Sequence, residues 1–187
     1  GHFAFTDVAA AISNKMEARH PHIFGDEAGT MGETRWEAIK AAERADKAEK
    51  GTLDGVALGL PALLRAHKLQ KRAARVGFDW PSAREVLDKI LEESQELVEA
   101  QAEADQEHIL EEYGDLMFVM ANLGRHLGVE PEAALRAANA KFERRFRHME
   151  TLAGERGVDF AALPLTDQEQ FWSEARLADH LGQLDPK

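Results

Sequence analysis

Apolar residues recur at three- and four-residue spacing along almost the whole sequence, which is the pattern of amphipathic helices. Clusters of β-branched residues bounded by turn residues, which would indicate strands, are missing from the sequence. Glycine and proline interrupt the helical pattern at intervals and divide it into segments of helix length. The sequence therefore predicts an all-α protein built as a helical bundle.

The positions of these interruptions predict where the helices lie. Helices are expected at about residues 7–19, 33–50, 61–76, 82–103, 106–127 and 131–152, with a loop at 20–32. A last helix is expected to start at Thr166, which forms a capping-box pattern with Glu169.

A weak internal repeat suggests how the chain is divided. The segment AISNKMEARH, from Ala11, is similar to AANAKFERRF, from Ala137, and each is followed later by a tryptophan-containing helix, RWEAIK and FWSEAR. Between the two copies, GTLDGVALGLP breaks the helical pattern from residue 51. We therefore expect a duplicated unit whose first copy lacks its front half, with domains at 1–55 and 56–187.

Composition excludes several classes of function. The 187 residues carry a formal net charge of −11, so a general attraction to nucleic acid polymers or to an anionic membrane is not expected. The absence of cysteine excludes disulfides, thiol catalysis and cysteine-ligated metals, and it is compatible with a cytoplasmic location, which we expect. No apolar run in the sequence approaches the length of a membrane span.

Four acidic residues stand out in the stretch EESQELVEAQAEADQEHILEEYGD, residues 92–115, which contains no Lys or Arg. Glu93 and Glu96 are three apart on one predicted helix, and Glu112 and Asp115 repeat this spacing on the next. A short connection makes the two helices antiparallel, so the pairs are expected to face each other. The segment LMFVMANL, which follows Asp115 directly, is expected to be mostly buried.

Acids at the edge of a core are unfavourable unless they are protonated, paired or bound to metal. With no basic residue expected to pair them, their hard oxygen atoms suit Mg²⁺ or Mn²⁺. The simplest alternative is a set of solvated acids on amphipathic helices, which we keep for the other acids of the stretch. A di-iron site would need Glu-x-x-His motifs, and neither Glu93 nor Glu112 has His three residues on.

The segment NAKFERRFRH places two cations, Lys141 and Arg145, four residues apart on one helix face. They are either surface charges or, next to a carboxylate–metal site, ligands for a polyphosphate. The neighbouring Phe142 and Phe146 are interpreted as core residues. Trp172, on the last helix, is interpreted as a core residue, with stacking on a nucleobase as the alternative.

The acidic stretch resembles a known family. EESQE, followed after fifteen intervening residues by EYGD, is similar to the EExxE…ExxD signature of the MazG nucleoside triphosphate pyrophosphohydrolases. GFDWP before it, NLGRHLGV and NAKFERRF after it, and HPHIFGD near the start also resemble MazG, in family order. The resemblance implies an all-α MazG fold assembled as an intertwined homodimer. It also implies hydrolysis of nucleoside triphosphates to monophosphate and pyrophosphate with Mg²⁺ as the cofactor, and the hard oxygen ligands leave Mn²⁺ as the alternative.

The resemblance further assigns roles to residues. It implies that the four spaced acids hold the metal and are the catalytic residues: Glu93, Glu96, Glu112 and Asp115. It implies that Lys141 and Arg145 contact the triphosphate and that Trp172 lies beside the base. Residues 1–55 would be a non-catalytic remnant of an N-terminal MazG-like unit, and 56–187 the catalytic domain. His108 stands where some relatives are expected to have Lys, so a substrate contact is not assigned to it.

Two other functions remain open at this point. One is a narrower pyrophosphohydrolase of the same helical superfamily, acting on a deoxynucleoside triphosphate or on phosphoribosyl-ATP. The other is a non-catalytic module that binds metal or nucleotide. The four intact acids favour an enzyme over the binding module.

Overall fold

The computed structural model describes residues 4–24 and 51–184 of the chain. The chain divides into two compact units, Gly1–Val56 and Ala57–Lys187. Every regular element in the described residues is a helix, so the all-α prediction is confirmed. None of these helices combines the length and the apolar character that a membrane span requires. The helix predicted at 33–50 lies outside the described residues.

The first unit contains helix α1, Phe5–Arg19, and the short helix α2, Pro21–Phe24. Helix α1 begins two residues before the predicted start because Asp7 acts within the first turn, accepting a hydrogen bond from the Ala4 amide at 2.7 Å. The prediction of a loop at 20–32 was wrong for α2, where proline opens a helical turn.

The second unit contains five α-helices in the described residues: α3 (Ala62–Ala74), α4 (Ala83–Glu103), α5 (Gln106–His126), α6 (Pro131–Glu155) and α7 (Leu165–His180). A 3-10 turn, Phe160–Ala162, lies between α6 and α7. Side-chain caps start α4, α5 and α6: Ser82, Asp105 and Glu130 each accept hydrogen bonds from amides of the following turn. These local signals explain why the predicted boundaries of α3 to α6 agree with the structure to within three residues.

The predicted capping box at the start of α7 was wrong. The helix begins at Leu165, with Pro164 as its N-cap and no side-chain cap, so Thr166 lies inside the first turn. The Pro164 carbonyl accepts hydrogen bonds from the amides of Asp167 and Gln168 at 3.0 and 3.1 Å. The proline, rather than the threonine hydroxyl, therefore sets the start of this helix.

Helices α4 and α5 form an antiparallel hairpin joined by two residues, Ala104 and Asp105. Ala104 has a left-handed backbone with φ of 57°, which is the conformation that ends a helix and reverses the chain. Helix α5 also packs against α3, and α6 packs against α7. A buried cluster of Met149, Ala153, Phe171 and Ala175 holds α6 and α7 together.

The expectation that the apolar segment of α5 is mostly buried was only partly correct. Val119 and Ala121 are buried, but Phe118 and Met120 are 40% and 47% exposed. Within the described residues, α3 and α4 cover one side of α5 and leave the other side open. The apolar character of this segment therefore exceeds what the neighbouring helices of one chain bury.

Candidate active site

The α4–α5 hairpin brings acids of both helices together. Glu93 and Glu96 of α4 and Glu112 of α5 each offer a carboxylate oxygen, and these oxygens lie within 4.8 Å of one another. Glu93 is 5% exposed, whereas Glu96 and Glu112 are half-buried. Three of the four acids singled out in the sequence thus converge, and we call these three residues the acidic cluster.

Asp115, the fourth acid, is not part of the acidic cluster and is exposed. It lies one turn after Glu112 on α5, as its three-residue spacing predicts. Its role as a metal ligand stays a prediction.

Lys89 contacts the acidic cluster from one turn earlier on α4. Its Nζ lies 2.7 Å from a carboxylate oxygen of Glu92 and 2.8 Å from one of Glu93. These two bonds raise the pKa of Lys89, so the side chain stays charged. The expectation that no basic residue pairs with the acids was therefore wrong, and the four-residue spacing from Lys89 to Glu93 was the signal that would have found it.

Negative charge remains in excess in spite of Lys89. Burial raises the pKa of the Glu96 carboxyl, Lys89 opposes this effect, and the charges of Glu93 and Glu112 add to it. The burial and mutual repulsion of these carboxylates are therefore unfavourable, and a bound cation would reduce both effects.

His108 bridges the acidic cluster and the end of α4. Its Nε2 lies 3.2 Å from Glu112 and its Nδ1 lies 3.3 Å from Glu103. The hydrogen bond to Glu103 raises the pKa of His108, desolvation opposes this, and Glu112 raises it further. In the structure, His108 thus contacts a predicted metal ligand.

The predicted phosphate ligands lie on α6. Lys141 is exposed. The Nε of Arg145 donates a hydrogen bond to Asp179 of α7 at 2.7 Å, and its guanidinium carbon lies 5.7 Å from the centre of the Trp172 ring. Glu143, which lies between these two cations on α6, is paired with Arg147.

The aromatic residues beside Arg145 are more exposed than a core position requires. Phe142 is 57% exposed, so its interpretation as a core residue was wrong. Its ring lies 5.8 Å from Phe146 and 5.6 Å from Trp172, which is half-buried. Arg145, Phe142 and Trp172 together form a second candidate site, which we call the Arg–Trp cluster.

No ion pair among the described residues joins the acidic cluster to the Arg–Trp cluster. The first lies on α4 and α5 and the second on α6 and α7. A single chain therefore presents two separate sets of side chains suited to cations and to anions, respectively.

Comparison with known proteins identifies the family. A family model described as phosphoribosyl-ATP pyrophosphohydrolase matches residues 64–142. The nucleoside triphosphate pyrophosphohydrolase of Escherichia coli (strain K12) is 48% identical over 181 residues, covering 94% of this chain and 69% of that protein. The nucleoside triphosphate pyrophosphohydrolase/pyrophosphatase MazG of Thermotoga maritima is 40% identical over 179 residues, covering 96% of this chain and 68% of that protein.

A third relative, protein YabN of Bacillus subtilis, is 43% identical over 182 residues, covering 94% of this chain but only 37% of its own length. The E. coli and T. maritima proteins carry the same family name and align with nearly all of this chain. This chain belongs to the MazG family of nucleoside triphosphate pyrophosphohydrolases.

Proposed function

We propose that this chain hydrolyses nucleoside triphosphates to nucleoside monophosphate and pyrophosphate with a divalent cation held by the acidic cluster and Asp115. The observation that carries the proposal is the convergence of three carboxylates from two helices within 4.8 Å. The names of the E. coli and T. maritima relatives support the reaction class.

The residues present fit such an ion. Mg²⁺ binds oxygen ligands at about 2.0–2.1 Å, so ligands on opposite sides of it stand roughly 4.2 Å apart. The carboxylate oxygens of the acidic cluster span 4.8 Å or less, which small side-chain rotations bring to this value. All the donors are hard oxygens, which suit Mg²⁺ and Mn²⁺ rather than softer metals.

When bound, the ion supplies positive charge to phosphate oxygens and activates water as a nucleophile. The acidic cluster fixes where this charge sits, because its residues lie on two packed helices. Lys141 and Arg145 neutralise charge on the phosphates, Arg145 through a planar fork that matches two oxygens. Phe142 and Trp172 offer a half-exposed aromatic surface to a base.

A comparison of two neighbouring acids of α5 tests the metal site. Glu112→Gln should lower pyrophosphate release by about two orders of magnitude or more, because it removes a charged ligand. Glu111→Gln should leave it within about twofold, since Glu111 is exposed and outside the acidic cluster. Circular dichroism establishes that both variants fold. Mg²⁺-dependent turnover by folded Glu112→Gln at the parent rate would refute the metal assignment.

The substrate needs a separate assay. The phosphoribosyl-ATP pyrophosphohydrolase model ends at residue 142, so it covers the acidic cluster but neither Arg145 nor Trp172 of the Arg–Trp cluster. Rates should therefore be compared for the four ribonucleoside triphosphates, the deoxynucleotides and phosphoribosyl-ATP under one set of conditions. Turnover of phosphoribosyl-ATP alone would replace the proposed substrate class with the narrower one.

We also propose that the chain acts as a homodimer in which the acidic cluster of one chain faces Trp172 of the other. The placement of the two clusters on different helix pairs and the exposed Phe118 and Met120 support this arrangement. Mixing a Glu112→Gln chain with a Trp172→Ala chain should then restore activity. Light scattering should give twice the chain mass of 20.8 kDa, and a monomer mass at assay concentration would rule the dimer out.

We propose that the first unit is MazG-like and takes no part in catalysis. Among the side chains that the structure describes in residues 4–24, no three acidic or histidine groups are placed to hold a metal. Lys15→Ala in α1 should consequently leave turnover unchanged, and a large loss would contradict this assignment.

A further inference from the structure

One carboxylate of α7 holds two consecutive arginines of α6. Arg144 donates from Nε and Nη2 to Oδ1 of Asp179, at 2.8 and 2.6 Å. Arg145 donates from Nε to Oδ2, at 2.7 Å. These hydrogen bonds lower the pKa of the Asp179 carboxyl, so it is ionised at neutral pH. Both oxygens of a largely buried carboxylate, 11% exposed, are thus committed to the two guanidiniums.

The way in which Arg145 is held leaves part of it available. Nε is the one guanidinium atom of Arg145 with a hydrogen-bond partner in the residues that the structure describes. Its two terminal nitrogens therefore retain their donors. The Trp172 ring, 5.7 Å from the guanidinium carbon, flanks the group as well. A planar cation fixed along its Nε side presents its outer edge in one direction, which is what bidentate binding of a phosphate needs.

We propose that Asp179 is a positioning residue that orients the Arg145 guanidinium so that its outer edge meets the phosphates of the nucleotide. This inference rests on the proposed function, because it takes Arg145 as a ligand of the triphosphate. An arginine side chain has several rotatable bonds, and ordering it before the nucleotide arrives removes an entropic cost of binding.

The direction in which nucleotide affinity changes when the charge of Asp179 is removed separates this role from two others. Asp179→Asn removes a negative charge from the neighbourhood of an anion-binding group. If Asp179 only repelled or displaced phosphate, the loss of its charge would tighten nucleotide binding. If Asp179 only joined α6 to α7, stability would fall and affinity would stay the same. Of these three roles, only the positioning role predicts weaker nucleotide binding.

A second ion pair between α6 and α7 provides a matched control for the loss of a bond that joins these helices. Arg156, at the C-terminal end of α6, donates from Nη1 to Glu174 of α7 at 2.9 Å. This is also an arginine–carboxylate pair between α6 and α7, and it does not involve Arg145. Glu174→Gln therefore removes an interhelical pair without disturbing the Arg–Trp cluster.

The dissociation constant of α,β-methylene-ATP with Mg²⁺ should be measured by calorimetry on the full chain. Asp179→Asn and Arg145→Ala should each weaken binding by about tenfold, as for loss of a charge-assisted contact. The double variant should bind no more weakly than Arg145→Ala, because Asp179 acts through Arg145. Glu174→Gln should bind like the parent.

Asp179→Glu is the second variant, for the case in which Asp179→Asn fails to fold. It keeps the charge and displaces the carboxylate by one methylene. It should weaken binding while the thermal melt stays close to that of the parent. Parent-like or tighter binding by Asp179→Asn and Asp179→Glu, or additive losses in the double variant, would overturn the positioning role and leave the proposed function standing. A parent chain that binds no nucleotide would refute the proposed function and this inference with it.

Discussion

Replacing Lys89 by Met tests how much the acidic cluster depends on the lysine that pairs with Glu93. The substitution keeps most of the side-chain volume and removes the charge that lies 2.7 Å from Glu92 and 2.8 Å from Glu93. Glu93 is then left as a buried carboxylate facing two other acids. The free energy of unfolding should fall because a buried charge loses its compensation.

The two bonds of Lys89 contribute unequally. The Glu92 side chain is 59% exposed, so its bond contributes at most about 0.5 kcal/mol. The Glu93 side chain is 6% exposed, and a hydrogen bond to a charged group in such a setting contributes about 1.5–3 kcal/mol. Lys89→Met should therefore cost about 2 kcal/mol, or roughly 8 °C in melting temperature for a unit of this size.

Thermal melting at neutral pH without added metal measures this loss, and Glu92→Gln is the control that removes only the exposed bond. Mn²⁺ should then stabilise Lys89→Met more than the parent, because the ion no longer competes with the lysine for Glu93. A Lys89→Met protein that melts within about 2 °C of Glu92→Gln would refute the argument, since about 0.5 kcal/mol is all that the exposed bond supplies.

Two further predictions concern backbone and pH. Gly124→Ala should destabilise the chain by about 1–3 kcal/mol in urea denaturation, because its Cβ would lie 2.9 Å from the Val129 carbonyl oxygen. Gly114→Ala, on the same helix with nothing within 4 Å, should gain about 0.5–1 kcal/mol, and losses in both variants would contradict this. The lowered pKa of Asp179 means that its contribution to stability is present above the ordinary value of 3.8 and is lost as pH falls through the folded-state pKa. Melts of the parent and Asp179→Asn should therefore differ at pH 6 and approach each other as the pH falls through the folded-state pKa, and equal melting temperatures at pH 6 would count against the bond.

Local signals in the sequence were sufficient for the boundaries of α3 to α6 and for the acidic cluster, but not for α2 or for the start of α7. Caps, prolines and glycines act on neighbouring residues, so they predicted the boundaries of α3 to α6. The three-residue spacing from Glu93 to Glu96 and the short link to α5 predicted that acids of both helices would meet, and Glu112 does meet them. These inferences needed only the helical repeat and the antiparallel packing of joined helices.

Contacts between distant segments could not be predicted in this way. Asp179 follows Arg145 by 34 residues, and nothing in the local pattern of α6 indicates which carboxylate it meets. Likewise, the helical period assigns Phe142 to a face but does not say whether a neighbouring element covers that face. Lys89 is the exception, because its four-residue spacing from Glu93 is a local signal that lies just outside the acidic stretch.

The link between α4 and α5 fixes more than the reversal of the chain. It contains only Ala104 and Asp105, and each added helical residue turns everything after it by about 100°. One inserted residue that extended α5 at its start would therefore turn the rest of α5, Glu112 included, by about 100° relative to Glu93 and Glu96 of α4. Substitutions at the link alter stability by the small amounts typical of turns, whereas insertions or deletions alter which side chains share the acidic cluster. The length of this connection, and not its composition, is the property that sequence variation must preserve.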